Sequence, residues 1–169
     1  MIKRSGWAVV FDLDETLVLT SPLESLRRWR KWKEVYAAFG QTRLPDGTLR
    51  FLERIAEKAT LAVVTKAPRS YAERLLAFHG IELPVVVGYH DVKRVKPDPE
   101  ALLLASQKLG IEPFHCIYVG DDENDVRAAR SAGFTPIGVC WGEPLDIGVE
   151  PICASWDEVY NVILELIGE

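Results

Sequence analysis

Five short runs along the chain are apolar almost without interruption: WAVVF (7–11), LAVVT (61–65), VVVGY (85–89), CIYVG (116–120) and PIGVC (136–140). Each is rich in β-branched residues and only a few residues long, which predicts strands. Because they are continuous rather than alternating, both faces of each strand must be covered, and this predicts a mostly parallel sheet with helices on both sides. Between the runs, apolar residues recur at three- and four-residue spacing, the period of amphipathic helices. Gly80 after AERLLAFH and Gly110 after ALLLASQKL read as helix stops, and DPE (98–100) and DEND (122–125) place acids in first turns. The pattern is a βαβ series of the α/β class, with no internal repeat, linker or low-complexity tract.

In an open α/β sheet, ligands sit outside the carboxyl ends of the strands, where the strand order reverses. The residues predicted there are Asp12 and Asp14, Thr65 and Lys66, Tyr89 and His90, and Gly120, Asp121 and Asp122. The first run ends in VVFDLDETLVLTS (9–21), three acids within four residues. Two unit charges about 4 Å apart repel by about 4 kcal/mol at an effective dielectric near 20, so a cation is required nearby. Asp12 is a candidate nucleophile that can accept a phosphoryl group. Asp14, roughly 6 to 7 Å along the same side of an extended chain, is a candidate acid for the leaving oxygen. Asp121 closes an all-oxygen set with Asp12 and a backbone carbonyl, which suits Mg²⁺ rather than Zn²⁺. Thr65, the amides beside it and Lys66 are candidates for binding phosphoryl oxygens, and Lys96 offers a point charge to the transition state. Lys96 precedes PDPE in what reads as a surface loop, so its loss is expected to harm turnover more than folding. Asp125, one helical turn after Asp121, is expected to hold a metal-bound water or orient Lys96.

Each motif has a plainer reading: DLDET as an acidic helix cap, VVTK as a strand end, VKPDPE as a proline-rich helix entry, GDDEND as a Ca²⁺-like loop or N-cap. Their appearance in order at consecutive strand ends favours one shared active site. With Asp12-Leu13-Asp14-Glu15-Thr16, Thr65, Lys96-Pro97 and Gly120-Asp121 through Asp125, the sequence resembles the haloacid dehalogenase-like hydrolase superfamily over about residues 7–142. The resemblance implies a Rossmann-like fold, Mg²⁺ dependence, Asp12 as nucleophile, Asp14 as acid and base, and metal ligands from Asp12, the Asp14 backbone and Asp121. Dehalogenases of the family lack the second aspartate and P-type ATPases carry threonine there, so Asp14 implies a phosphatase or phosphomutase. VRAARSAGFTPIGVCWG (126–142) is similar to the small-molecule phosphatases. DLDETLV resembles protein phosphatases of the RNA polymerase tail, whose fourth motif differs from GDDENDV. A phosphomutase needs a lid that excludes water, and a non-catalytic phosphate-binding regulator would be free to lose Asp12, Asp14 or Lys96. The expectation is a Mg²⁺-dependent phosphatase that hydrolyses a phosphate monoester through an aspartyl-phosphate.

Where many relatives insert a helical bundle, residues 17–44 hold only a minimal cap. One helix is predicted from about Pro22 to Phe39, entered by a Ser21–Glu24 capping box and stopped by Gly40. So short a cap leaves the site open, to be covered by a large substrate or a second subunit of a homo-oligomer. Arg27, Arg28, Arg30, Lys31 and Lys33 interleave there with Trp29 and Trp32. Three readings compete: Leu26, Trp29, Tyr36 and Phe39 form a core stripe with the bases in water; the bases and Trp32 face the site entrance; or the helix contacts nucleic acid or a membrane surface. No catalytic role is assigned to His79, His90 or His115.

Composition narrows the rest. A chain of 169 residues, 48% hydrophobic and 27% charged, predicts one globular domain over 1–169. A formal net charge of -5 disfavours nucleic-acid and membrane partners and leaves a small phosphorylated substrate. Cys116, Cys140 and Cys153 read as reduced core residues, which favours the cytoplasm. Lys3 and Arg4 precede an apolar stretch that Asp12 cuts too early for a signal sequence.

Overall fold

The predicted strands all form in the computed structural model, which describes residues 6–169; the Lys3–Arg4 reading lies outside the described residues. They are β1 (Ala8–Phe11), β2 (Thr60–Val64), β3 (Val85–Val87), β4 (Cys116–Gly120) and β5 (Thr135–Val139), joined by β6 (Ile152–Cys153). All pairings are parallel, in the order β3-β2-β1-β4-β5-β6. From β1 the chain steps outward through β2 and β3, then returns to the other side of β1 for β4. The reversal opens a crevice between the carboxyl ends of β1 and β4.

The helices among the described residues are α1 (Glu24–Arg28), α2 (Trp32–Ala37), α3 (Thr48–Ala56), α4 (Arg69–Phe78), α5 (Glu100–Leu109), α6 (Glu123–Ala132) and α7 (Trp156–Ile167). Side chains alternate along each strand, so one sheet, fully buried at its central strands β1 and β4, feeds two cores. On one face Val9, Phe11, Val63 and Val119 pack against Phe51 and Ile55 of α3, Tyr71 and Leu75 of α4, and Trp156 and Ile163 of α7. On the other, Ala8, Val10, Val64 and Tyr118 meet Ala101 and Ala105 of α5 and Ala128 and Ala129 of α6. Burying each large side chain contributes about 1.5–3 kcal/mol. The alanine-rich face lets α5 and α6 lie close to the sheet, which draws the loop carrying Lys96 and the first turn of α6 carrying Asp125 inward. Among the described residues no helix is long and apolar enough to cross a membrane. The three cysteines are free; Cys116 and Cys153 are buried, but Cys140 is half-exposed, its Sγ donating to the Glu143 carbonyl at 2.8 Å.

The segment between β1 and β2 departs from expectation. The helix predicted over Pro22–Phe39 is broken into α1 and α2, and no side-chain cap forms at its start, where Glu24 pairs with Arg28 instead. The break is a Schellman turn: the Lys31 N–H donates to Leu26 O at 2.9 Å and the Arg30 N–H to Arg27 O at 3.0 Å. Arg30 occupies its left-handed position, φ 54°, where glycine is usual. This turn resets the helical phase. Trp29, predicted for the core stripe, is 72% exposed, while Trp32 turns inward with its ring 5.8 Å from that of Tyr71. The ends of the segment are tied by paired backbone hydrogen bonds between Leu19 and Arg43.

Candidate active site

Asp12 directly follows β1, and its N–H donates to Val119 O of β4 at 2.9 Å, so the sheet ladder itself fixes its position beside Asp121. The chain then stops being extended. The amides of Thr16, Leu17 and Val18 all reach back to Leu13 O, and Glu15 adopts φ 62°, its carboxylate accepting the Thr20 N–H at 2.8 Å. This curl corrects the expectation that Asp12 and Asp14 share one side of a strand. They stand in separate hydrogen-bond sets. Thr16 Oγ1 donates to Asp121 Oδ1 at 3.1 Å, with Asp12 Oδ2 at 3.5 Å, and so bridges the two strand ends.

Lys96, expected on a surface loop, is buried. Its Nζ contacts Asp12 Oδ1 at 2.9 Å, Asp125 Oδ1 at 2.8 Å, the Tyr118 hydroxyl at 2.7 Å and Val64 O at 3.2 Å. Burial, the largest influence, opposes its charge, but the Asp12 and Asp125 carboxylates outweigh it and hold the ammonium above its ordinary value. The surface-loop placement is therefore overturned, and with it the reason for expecting loss of Lys96 to weigh less on folding than on turnover. Asp125 Oδ2 accepts the N–H groups of Asp121 and Asp122 at 3.1 and 3.3 Å, while Asp122 caps α6 through the Asp125 N–H at 2.9 Å. Gly120 makes room for this, since a Cβ there would lie 2.5 Å from the Asp125 side chain.

Asp14 faces the segment between β1 and β2. Its Oδ1 accepts from the Thr20 hydroxyl at 2.8 Å and the Tyr71 hydroxyl at 2.7 Å, and its Oδ2 pairs with Arg27 at 2.9 Å. Thr65 is buried at the end of β2; its N–H donates to Val87 O, and its hydroxyl oxygen accepts the Ala67 N–H at 3.0 Å. That leaves the hydroxyl proton available to a ligand. Lys66 is exposed beside it, and Tyr89 and His90 form the turn after β3.

Asp12, Asp121 and Asp125 each present a carboxylate oxygen within 4.8 Å of the others. Both oxygens of Asp125 are already engaged, by Lys96 and by two amides, which makes it an orienting group rather than an open ligand. Burial above all, opposed by the Lys96 ammonium and aided by the Asp125 and Asp121 charges, pushes Asp12 well above the ordinary carboxylate range. Burial likewise raises Asp121 to about 6. One ammonium among three carboxylates leaves unbalanced negative charge, and the free donors are all oxygen. The residues present fit a hard divalent cation such as Mg²⁺.

Sequence reasoning brought Asp12, Asp14, Thr65, Lys96, Asp121 and Asp125 to one end of the sheet, and they are there. It gave no role to Thr16, Thr20, Tyr71 or Tyr118, and it left Arg27 among bases that face either water or the site entrance, where the pair with Asp14 now sets it. The threonines follow the acidic motif closely and carried a local signal; Tyr118 sits inside an apolar strand and carried none.

The sequence profile described as haloacid dehalogenase-like hydrolase matches residues 22–139. The phosphoglycolate phosphatase of Xanthomonas campestris pv. campestris is 34% identical over 105 residues, covering 60% of this chain and 48% of that protein. The chain thus spans about half the length of the curated relatives it matches. Among solved structures, a HAD phosphatase from Thermococcus onnurineus superposes with TM-score 0.80 at 20% identity, covering 93% of this chain and 97% of that one. CbbY from Rhodobacter sphaeroides, in complex with phosphate, gives TM-score 0.76 at 19% identity, with 90% and 95% covered.

Proposed function

We propose that this chain, which belongs to the haloacid dehalogenase-like hydrolase family, is a phosphatase that hydrolyses a phosphate monoester through a phosphorylated Asp12. The observation that carries the reading is the pair of aspartates in separate settings, Asp12 on the buried Lys96 and Asp14 on a set of hydroxyls and Arg27. A nucleophile and a proton carrier need such different surroundings. Similarity to a phosphoglycolate phosphatase over half of that protein supports the same chemistry.

Asp12 attacks phosphorus, forming a P–O bond to its carboxylate as the ester P–O bond breaks, and Asp14 gives its proton to the departing oxygen. Water then attacks the phosphorylated Asp12. Asp14 takes a proton from that water, the P–O bond to Asp12 breaks, and inorganic phosphate leaves. Two of the three partners of Asp14 are hydroxyls, which turn from donor to acceptor when it carries the proton. Lys96, the Thr65 hydroxyl and the amides after β2 receive the equatorial phosphoryl oxygens. Asp12, Asp121 and the Asp14 carbonyl would hold Mg²⁺, which when bound supplies the positive charge this cluster lacks. Residues 17–44 act as a minimal cap on a single domain, and the free thiols suit a reducing compartment such as the cytoplasm.

The test is hydrolysis of p-nitrophenyl phosphate. Turnover should require Mg²⁺ and vanish with EDTA, and Asp12→Asn should abolish it while keeping the thermal transition. Turnover near the parent rate in that variant would assign the nucleophile elsewhere.

A further inference from the structure

A cavity of about 550 Å³ opens between the α1–α2 turn and the loops after β2 and β3, with Arg27, Arg28, Arg30, Lys66, Trp32 and Tyr89 in its wall. That volume suits a sugar-sized ligand. It adjoins the catalytic groups at two points: Arg27 pairs with Asp14 at 2.9 Å, and Lys66 follows Thr65. We propose that this cavity seats a second phosphate on the leaving part of the substrate, so that the preferred ester is a bisphosphorylated sugar or nucleoside. This rests on the phosphatase reading.

The charge pattern selects the ligand. Four cations line the cavity of a chain whose net charge is -5, against one carboxylate, Glu24. Arg28 takes Glu24 at 2.9 Å and Arg27 takes Asp14. Among the described residues no carboxylate pairs with Arg30 or Lys66. Two unpaired cations match one phosphate of about -1.5 to -2 charge, and a guanidinium beside an ammonium supplies both a fork and a point charge for it. Trp32 and Tyr89 in the same wall supply aromatic surface for the sugar or base between the two phosphates.

Arg30 gives the second, independent observation. It holds the left-handed position of the Schellman turn, φ 54°, where glycine is unstrained and a side chain is not. Its long side chain reaches no acid of the protein. The turn thus sets a long, unpaired cation in the cavity wall, where an anionic group of the ligand would complete it.

The parent chain, Arg30→Gly and Arg30→Lys are compared on fructose 1,6-bisphosphate and p-nitrophenyl phosphate. Arg30→Gly should not lower Tm, because it relieves the strained turn, yet should reduce the ratio of kcat/KM for bisphosphate over aryl phosphate about tenfold, the size of one lost charged contact. Arg30→Lys should restore most of that ratio, and in the parent the ratio should fall as salt is raised. A ratio unmoved by Arg30→Gly, or a parent that does not prefer the bisphosphate, overturns the proposal. If the parent hydrolyses neither ester, the phosphatase reading fails by itself, and calorimetry of fructose 1,6-bisphosphate then decides the cavity. Binding weakened by Arg30→Gly upholds it, and no binding to the parent overturns it.

Discussion

Each of the two aspartates at the head of the candidate site keeps a cation of its own, and the two cations are held in opposite ways. Lys96, on Asp12, is 2% exposed and has four acceptors around one ammonium. Arg27, on Asp14, is 24% exposed, rests with its guanidinium 5.0 Å from the centroid of the Tyr71 ring, and has a buried Nε with no partner. The first arrangement is over-determined: β2, β4 and α6 each contribute an acceptor, and no single rotamer change frees the lysine. The second hangs on one ion pair and one long hydrogen bond, to the Thr20 hydroxyl at 3.4 Å, both from a five-residue helix. A site that must fix a transferring phosphoryl group yet admit varied leaving groups is served by a rigid floor and a loosely held rim.

The sharpest way to break the comparison is at the floor. Lys96→Met leaves Asp12 and Asp125 buried without their counter-charge, and removing one partner of a buried pair costs about 3–5 kcal/mol. Both a lower Tm and a loss of kcat of about 10²-fold or more are expected, the latter by analogy with losing a transition-state donor. The sign of the pH dependence follows from the upward shift of Lys96 beyond 10.5. Its contribution is complete below that value and is lost only as pH rises through the still higher folded value. A decline in activity below neutrality therefore does not arise from Lys96. Full stability in Lys96→Met would mean that the floor is no more tightly built than the rim.

Tyr118→Phe sharpens the same point with less damage. It removes one hydroxyl, 2.7 Å from Lys96 Nζ and 3.2 Å from both Asp125 Oδ1 and Val64 O, while the ring stays in the core. A stability loss of about 1 kcal/mol is expected for one buried hydrogen bond. If Tyr118 positions Lys96, kcat for p-nitrophenyl phosphate falls several-fold with little change in KM. A fall in stability alone would make the hydroxyl purely structural.

The same contrast explains what was legible in the sequence. Five strands announced themselves as unbroken apolar runs, and the acids at their ends followed from the register of a parallel sheet. β6 did not, because Ile152–Cys153 is too short to show a period. The floor was half legible: Lys96 was identified, but its burial depends on Asp12, 84 residues away, and on Val64 and Tyr118, which no local pattern connects to it. The rim was misread in its backbone. Helical spacing from Leu26 through Phe39 is genuine, but a left-handed Arg30 is invisible to periodicity, and the change of phase exchanged the places of Trp29 and Trp32. Local pattern thus located the functional groups, while long-range packing decided how firmly each is held.

The smallest expected effect is at the rim, and it tests whether loose holding is the right description. Arg27→Gln removes the ion pair to Asp14 but leaves the Thr20 and Tyr71 hydroxyls on its Oδ1, at 2.8 and 2.7 Å. The pair is only partly buried, its side chains 24% and 17% exposed, and an ion pair that water still reaches contributes about 0–1 kcal/mol, so Tm should move little. Asp14 keeps two of its three partners and its place on the curled backbone, so kcat for p-nitrophenyl phosphate, which carries no second phosphate to engage the cavity, should fall less than about tenfold. Measured beside Lys96→Met under one set of conditions, the two variants should differ by an order of magnitude or more in kcat. A loss in Arg27→Gln equal to that of Lys96→Met would show that Asp14 depends on its cation as strictly as Asp12 does. The difference in exposure between Lys96 and Arg27 would then carry no functional meaning.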